Sequence, residues 1–194
     1  MAEFKTFFLK LVECFNITQI NYVIVGGLAA IIRGRARTTT DIDVIVENKP
    51  VLVTILLDCL EQNGIDIMKD QARMAMKEGS SISIFDKTSY ARLDLKIARN
   101  IDENDVLKTA KPEMYENIQI KVATVEEILY GKLLYMGPID DLLDDEILNY
   151  TDAVDFLVLY NQYKDTLDKK TLANKIRRGH LEASYKRLAE FKQV

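Results

Sequence analysis

Two aspartates separated by one residue, Asp41-Ile42-Asp43, open a short run that is otherwise apolar and ends at Val46. In an extended strand, side chains two apart leave the same face, so both carboxylates project one way while Ile42, Val44 and Val46 pack the other. Adjacent carboxylates repel one another unless a cation or an arginine lies between them, and hard oxygen donors of this kind suit Mg²⁺ or Mn²⁺. A lone pair of this type is more often a solvated strand end. Asp94 changes the balance. It lies in Tyr90 to Ile97, where Ala91, Leu93, Leu95 and Ile97 alternate with Arg92, Asp94 and Lys96. If the two strands are neighbours, three carboxylates meet on one face of a sheet. Such a trio can bridge two divalent ions about 3.5–4 Å apart, which activates an attacking oxygen and steadies a leaving pyrophosphate. The competing reading of Asp94 is a surface strand salt-bridged through Arg92 and Lys96.

Upstream, Tyr22-Val23-Ile24-Val25 is short, apolar and β-branched, and reads as a buried strand ending in a turn at Gly26-Gly27, with a helix over Leu28 to Arg33. Glycines between strand and helix let a phosphate approach the backbone, where free N–H groups and the positive end of the helix dipole hold it. The pattern is neither the dinucleotide fingerprint nor a P-loop, because no Gly-Lys-Ser/Thr follows. Arg33, Arg35 and Arg37 then fall within five residues. Guanidinium groups bind phosphate in bidentate fashion, so these three could clamp a triphosphate or an RNA backbone. The alternative is that they neutralise Asp41 and Asp43 in an empty site.

The rest of the chain must position these groups. Its 194 residues are 48% hydrophobic, enough for one α/β core and a helical appendage, with 30 acidic against 26 basic residues. The net charge of −4 argues against a general nucleic-acid coat protein. A single histidine, His180, argues against a histidine-based metal site or a Ser-His-Asp triad. Cys14 and Cys59 have no CxxC partner and read as buried reduced thiols, consistent with a cytoplasmic protein. No leader precedes Phe4, and no apolar run approaches the roughly 18–20 residues of a membrane span.

Phe4, Phe7, Phe8, Leu11, Val12 and Phe15 recur at helical spacing over residues 3–19. After Asp43, Asn48 reads as a helix cap before Pro50, with Val51 to Leu60 as the buried face and Gly64 as the stop. Residues 65–80 read as a strand fragment and loop. Strands follow over 81–85 and 90–98, joined by an Asp86-Lys87-Thr88-Ser89 turn, and another over 118–122. From Thr124 the pattern is helical: Thr124 to Glu127 has the offset of a capping box, and Gly137-Pro138 ends the helix. Residues 140–146 form an acidic connector, and further helices fall over 150–160, 169–178 and 181–192. These elements predict an α+β fold, a mixed sheet flanked by helices (1–123) followed by a C-terminal helical part (124–194).

Gly26-Gly27, a short helix and Arg37-Thr38-Thr39-Thr40-Asp41-Ile42-Asp43 with its apolar tail resemble the nucleotidyltransferase superfamily that includes DNA polymerase beta, and within it the AbiEii-type toxins. Ile128-Leu129-Tyr130-Gly131-Lys132 is similar to that group's apolar-x-x-x-Lys motif, and Asp152-Ala153-Val154-Asp155 to its Asp-x-x-Asp motif. The resemblance covers roughly residues 20–160. It implies that Asp41, Asp43 and Asp94 hold Mg²⁺ or Mn²⁺, that Asp152 is required for activity, and that Gly26, Gly27, Arg37, Thr40 and Lys132 bind the nucleotide. The family pattern has Gly-Ser and a shorter spacer, whereas thirteen residues separate Gly27 from Asp41 here, so backbone amides and the extra arginines would replace a hydroxyl contact.

The expected activity is transfer of NMP from an NTP to an acceptor hydroxyl. By resemblance, the acceptor would be RNA, tRNA or a protein, with a possible antitoxin partner. Two alternatives stand beside it: a small-molecule, antibiotic-type nucleotidyltransferase, and a nucleotide-binding partner module without catalysis. From the residues alone, Lys132 interrupts an apolar stripe, where a lysine is costly unless it snorkels or meets an anion. Asp152 and Asp155 could equally pair with a neighbouring lysine.

Overall fold

β1 (Tyr22–Val25) and β2 (Asp41–Val46) form the centre of a sheet, antiparallel, with Tyr22 opposite Val46 and Val25 opposite Asp43. The computed structural model describes residues 2–87, 89–139 and 141–191; Thr88 and Asp140, assigned above to a turn and a connector, lie outside them, as does the end of the last expected helix. These residues form two compact units. The first comprises those up to Leu28 with Thr38–Ala123, the second Ala29–Arg37 with those from Thr124 onward.

In the first unit, α1 (Ala2–Thr18) precedes β1; α2 (Gly26–Ile32) follows β1 directly, and its residues from Ala29 onward belong to the second unit. After β2 come α3 (Pro50–Gln62), β3 (Ile65–Asp66), α4 (Lys69–Glu78), β4 (Ile82–Asp86), β5 (Arg92–Ile97), α5 (Ile101–Thr109), β6 (Lys111–Tyr115) and β7 (Ile118–Val122). The sheet order is β3-β4-β5-β2-β1-β7-β6. β2 and β5 run parallel because α3 to β4 return the chain between them, the long crossover that parallel pairing needs. The alternation in β2 and β5 sorts the faces: Ile42, Val44, Leu93 and Leu95 are each at most 1% exposed. Phe15 of α1 stacks on Tyr22, whose partner Val46 shares the face of Ile42 and Val44, so α1 covers the side opposite the aspartates. Side chains buried there, Phe8, Leu11, Leu56 and Leu60 among them, contribute about 1.5–3 kcal/mol each.

Four local expectations are corrected. The glycine pair is no free loop, since α2 begins at Gly26 itself. Lys49 rather than Asn48 occupies the cap of α3, without a side-chain hydrogen bond. Residues 69–78 are a helix, hidden from pattern reading because α4 buries only the small side chains Ala72 and Ala75. Cys14 and Cys59 are not reduced thiols: α1 and α3 pack with their Cα atoms 5.8 Å apart and the sulfurs are joined as a disulfide. Two elements of the first unit were not anticipated, α5 and the edge strand β6, and in the second unit Asp144–Ile147 is a short helix where an acidic connector was expected. α5 has a full capping box, with Asn100 accepting from the Glu103 amide and Glu103 accepting from Asn100. Burial raises the Glu103 carboxyl, but Lys96 and the Arg99 and Asn100 amides outweigh it and hold the group below the ordinary glutamate range.

The second unit is helical: α6 (Val125–Met136), α7 (Asp144–Ile147), α8 (Thr151–Tyr163), α9 (Lys169–Arg178) and α10 (Glu182–Ala189). Thr124 caps α6 by accepting from the Glu127 amide, and Asp168 caps α9 through the Lys170 and Thr171 amides. Phe156, Tyr160 and Tyr185 form a ring cluster joining α8 to α10. Burial, then the hydrogen bond with Tyr160, raises the Tyr185 phenol. Among the described residues no helix is long and apolar enough to cross a membrane.

Candidate active site

The parallel register of β2 and β5 sets Asp43 beside Asp94 and Asp41 beside Arg92. Neighbouring residues in register share a face, so Asp41, Asp43 and Asp94 project from one side of the sheet, each partly exposed, away from the core. Arg92 lies between two of them. Its Nη2 is 3.1 Å from Asp41 Oδ2 and 3.0 Å from Asp94 Oδ2. On β4, Ser83 stands opposite Asp94 and its Oγ donates to Asp94 Oδ1 at 2.6 Å. Pairs this exposed contribute little to stability, so the cluster is not explained as a stabilising device.

Gly26 is bound to this face by sterics. Its φ is +61°, and a Cβ built there would lie 2.0 Å from Asp43 Oδ2. No other residue fits, because the Asp43 carboxylate occupies the space directly against the glycine backbone. Gly27, the next residue of α2, is buried. Thr40 immediately precedes β2, and its backbone carbonyl accepts from the Arg92 amide at 3.0 Å.

Within the second unit a different cluster centres on Asp155, which is fully buried. Arg37 meets it in bidentate fashion, Nε to Oδ1 at 3.0 Å and Nη2 to Oδ2 at 3.1 Å. Arg35 Nε donates to the same Oδ1 at 3.1 Å, and Lys132 Nζ lies 2.7 Å from Oδ2. Lys132 also donates to Asp152 Oδ1 at 2.6 Å. Three cations therefore face two carboxylates. The loop carrying the arginines is pinned to α8, where the Tyr163 hydroxyl donates to the Arg33 carbonyl and Gly34, at φ +110°, abuts Gln162.

Arg35 and Arg37 thus meet Asp155, and Arg92 bridges Asp41 and Asp94 on the acidic face of the sheet. Sequence reasoning missed Ser83 and the reach of Arg92 to Asp41, and held the Arg92–Asp94 pair and a lysine partner for Asp155 only as alternatives. Two signals were available: Arg92 and Asp94 share a strand face, and Asp155 is one turn from Asp152. Ser83 had no signal before the β4–β5 register was known.

Among the described residues no three acidic, cysteine or histidine side chains converge as a ready-made metal cage. Asp41, Asp43 and Asp94 set three hard oxygen donors on one face, and the Arg92 guanidinium bridges Asp41 and Asp94.

The same arrangement of strands and helices occurs in solved structures. ANT(2")-Ia in complex with adenylyl-2"-tobramycin superposes with a TM-score of 0.59 at 15% identity, over 93% of this chain and 98% of that one. This chain has the nucleotidyltransferase fold. The lincosamide antibiotic adenylyltransferase LnuA, lincomycin-bound, matches at 18% identity with a TM-score of 0.50, over 79% of this chain and 94% of that one. An antigenic nucleotidyltransferase-like protein from Paracoccidioides brasiliensis matches at 14% identity and 0.50, over 96% and 93%. No protein-family model and no curated protein matches the chain.

Proposed function

We propose that the chain is a nucleotidyltransferase that moves a nucleoside monophosphate from an NTP to the hydroxyl of an acceptor. The observation that carries this reading is the in-register Asp43–Asp94 pair with Asp41 on the same face, beneath a glycine that admits no side chain. In the step, the acceptor oxygen bonds to the α-phosphorus, the bond to the pyrophosphate oxygen breaks, and the hydroxyl proton passes to Asp94. Bound Mg²⁺ or Mn²⁺ would supply Lewis-acid stabilisation of the developing charge. Asp41, Asp43 and Asp94 would hold it. Gly26, Gly27 and Thr40 would lie along the phosphates. By resemblance to the AbiEii-type group, Lys132, Arg37 and Asp152 would serve the nucleotide, with Asp155 keeping Lys132 and Arg37 in place. Most of the rate would come from positioning and fixed charge.

The acceptor reading supported best is a small molecule. ANT(2")-Ia and LnuA are named with small antibiotic ligands, and of the three arginines that could clamp an RNA backbone, Arg35 and Arg37 also hold a buried carboxylate. The test is incubation of wild type and Asp43→Ala with each labelled NTP, Mg²⁺ or Mn²⁺, and three acceptor pools: hydroxylated small molecules, total RNA and total protein. Label on small molecules that vanishes in Asp43→Ala is the expected result. Label on RNA or protein would assign the acceptor, and with it the toxin–antitoxin context, that the AbiEii resemblance implies. Equal labelling by both proteins would remove the metal role given to Asp43.

A further inference from the structure

Asp94, the carboxylate assigned the acceptor's proton above, is held by two side chains of different kinds. On its own strand, Arg92 Nη2 lies 3.0 Å from Oδ2 and shares its charge with Asp41 at 3.1 Å. On the neighbouring strand, Ser83 stands directly opposite in the β4–β5 register, and its Oγ donates to Oδ1 at 2.6 Å. All four residues belong to the first unit. Each oxygen of Asp94 thus has one partner, and an ionised carboxylate has about four lone-pair sites in all, so both oxygens keep room for another bond.

The two holds differ in what they do to the charge. A guanidinium neutralises a carboxylate and competes with any other cation for it; a hydroxyl fixes the direction of the group and leaves its charge in place. Direction is what an aspartate lacks by itself, because its terminal torsion is broad and has no sharp staggered wells. The Ser83 bond has the length of a hydroxyl donating to a charged oxygen, about 2.5–2.7 Å. Ser83 is exposed, so water would satisfy its hydroxyl and burial does not account for the pairing. Residue type follows from register. Directly opposed Cβ atoms stand about 4.5–5.5 Å apart, a gap that one hydroxymethyl and one carboxylate close. Alanine offers no donor there, and threonine presents the same Oγ.

We propose that Ser83 is the positioning residue of the acidic face: it holds the Asp94 carboxylate in the direction that binds a divalent ion and accepts the acceptor's proton. Being neutral, it stays engaged when Arg92 gives way to that ion. The proton role rests on the transferase reading above, whereas the hold on the ion rests on the three aspartates alone. A donor that orients a metal ligand in this way contributes about 10- to 100-fold to affinity or activity.

The test uses the full chain with Mn²⁺ alone, followed by water-proton relaxation, with urea midpoints as the check on folding. Ser83→Ala is expected to weaken Mn²⁺ binding about tenfold at an unchanged midpoint, while Ser83→Thr binds as wild type does. The same loss is expected in an Arg92→Gln background, and none once Asp94→Ala is present, because the hydroxyl acts through Asp94. Wild-type affinity in Ser83→Ala, an equal loss in Ser83→Thr, an undiminished loss on top of Asp94→Ala, or no Mn²⁺ binding by wild type overturns the assignment. Labelled NTP decides the transferase reading separately. In the acceptor pool that wild type labels, Ser83→Ala should lower kcat about tenfold and leave KM for the NTP unchanged. Absence of labelling by wild type removes the transferase reading, and the Mn²⁺ series still decides the role of Ser83.

Discussion

The protein uses the same side chain, aspartate, in two settings that have opposite consequences. On the sheet, Asp41, Asp43 and Asp94 are partly exposed on one face, and Arg92 bridges Asp41 and Asp94. In the helical unit, Asp155 is fully buried and accepts from two arginines and a lysine. Desolvation separates the roles. A buried carboxylate must be matched by cations at all times, so it belongs to the architecture. A solvated cluster costs little to maintain with its charge poorly compensated, and so stays available to an arriving cation.

That contrast can be broken most forcefully at Asp155. Asp155→Ala leaves Arg35, Arg37 and Lys132 without their shared carboxylate and is expected to destabilise the protein by about 3–5 kcal/mol, read as a lowered urea midpoint. A loss below 1 kcal/mol would mean that the cations find water as easily as they found Asp155. Asp43→Ala should do the reverse. Its stability stays within about 0.5 kcal/mol of wild type, as for surface substitutions, while labelled NMP transfer drops by more than a hundredfold. Gly26→Ala lies between the two: a positive-φ alanine costs roughly 1–2 kcal/mol, and its Cβ must displace the Asp43 carboxylate, so stability and metal binding fall together.

Arg92→Gln sharpens the picture of the acidic face. With the resident guanidinium gone, Mn²⁺ should bind several-fold more tightly, measured by calorimetry; unchanged affinity would show that Arg92 does not compete for the cation's place. The smallest effect concerns pH. The Glu103 carboxyl is held below its ordinary value of 4.5, so its stabilisation is fully present above that value and is lost as pH falls through the lower folded one. Acid unfolding followed by circular dichroism should therefore be less steep below pH 4.5 in Glu103→Gln, which cannot titrate but whose amide oxygen can still accept from the Asn100 amide.

Much of the molecule was readable from local pattern. The alternation in β2 and β5, the aromatic stripe of α1 and the cap at Thr124 depend on residues within one or two turns of each other, and physical chemistry acts on them locally. The same alternation assigned Asp41 and Asp43 to one face before any fold was known. α4 was invisible because its buried face is two alanines, and the edge strand β6 buries none of its residues fully.

What the chain alone determined is the chemistry on offer: which carboxylates, glycines, arginines and lysine exist, and which of them share a strand face or a helix turn. Tertiary structure decided the pairings: Asp94 beside Asp43 rather than elsewhere, Arg35 and Arg37 on Asp155, Arg92 between the acids, Cys14 joined to Cys59 across 45 residues. The reason is physical. Periodicity acts along the backbone over a few residues, whereas a charge chooses its partner by distance and desolvation, and both exist only once the sheet has its register and the helices have packed.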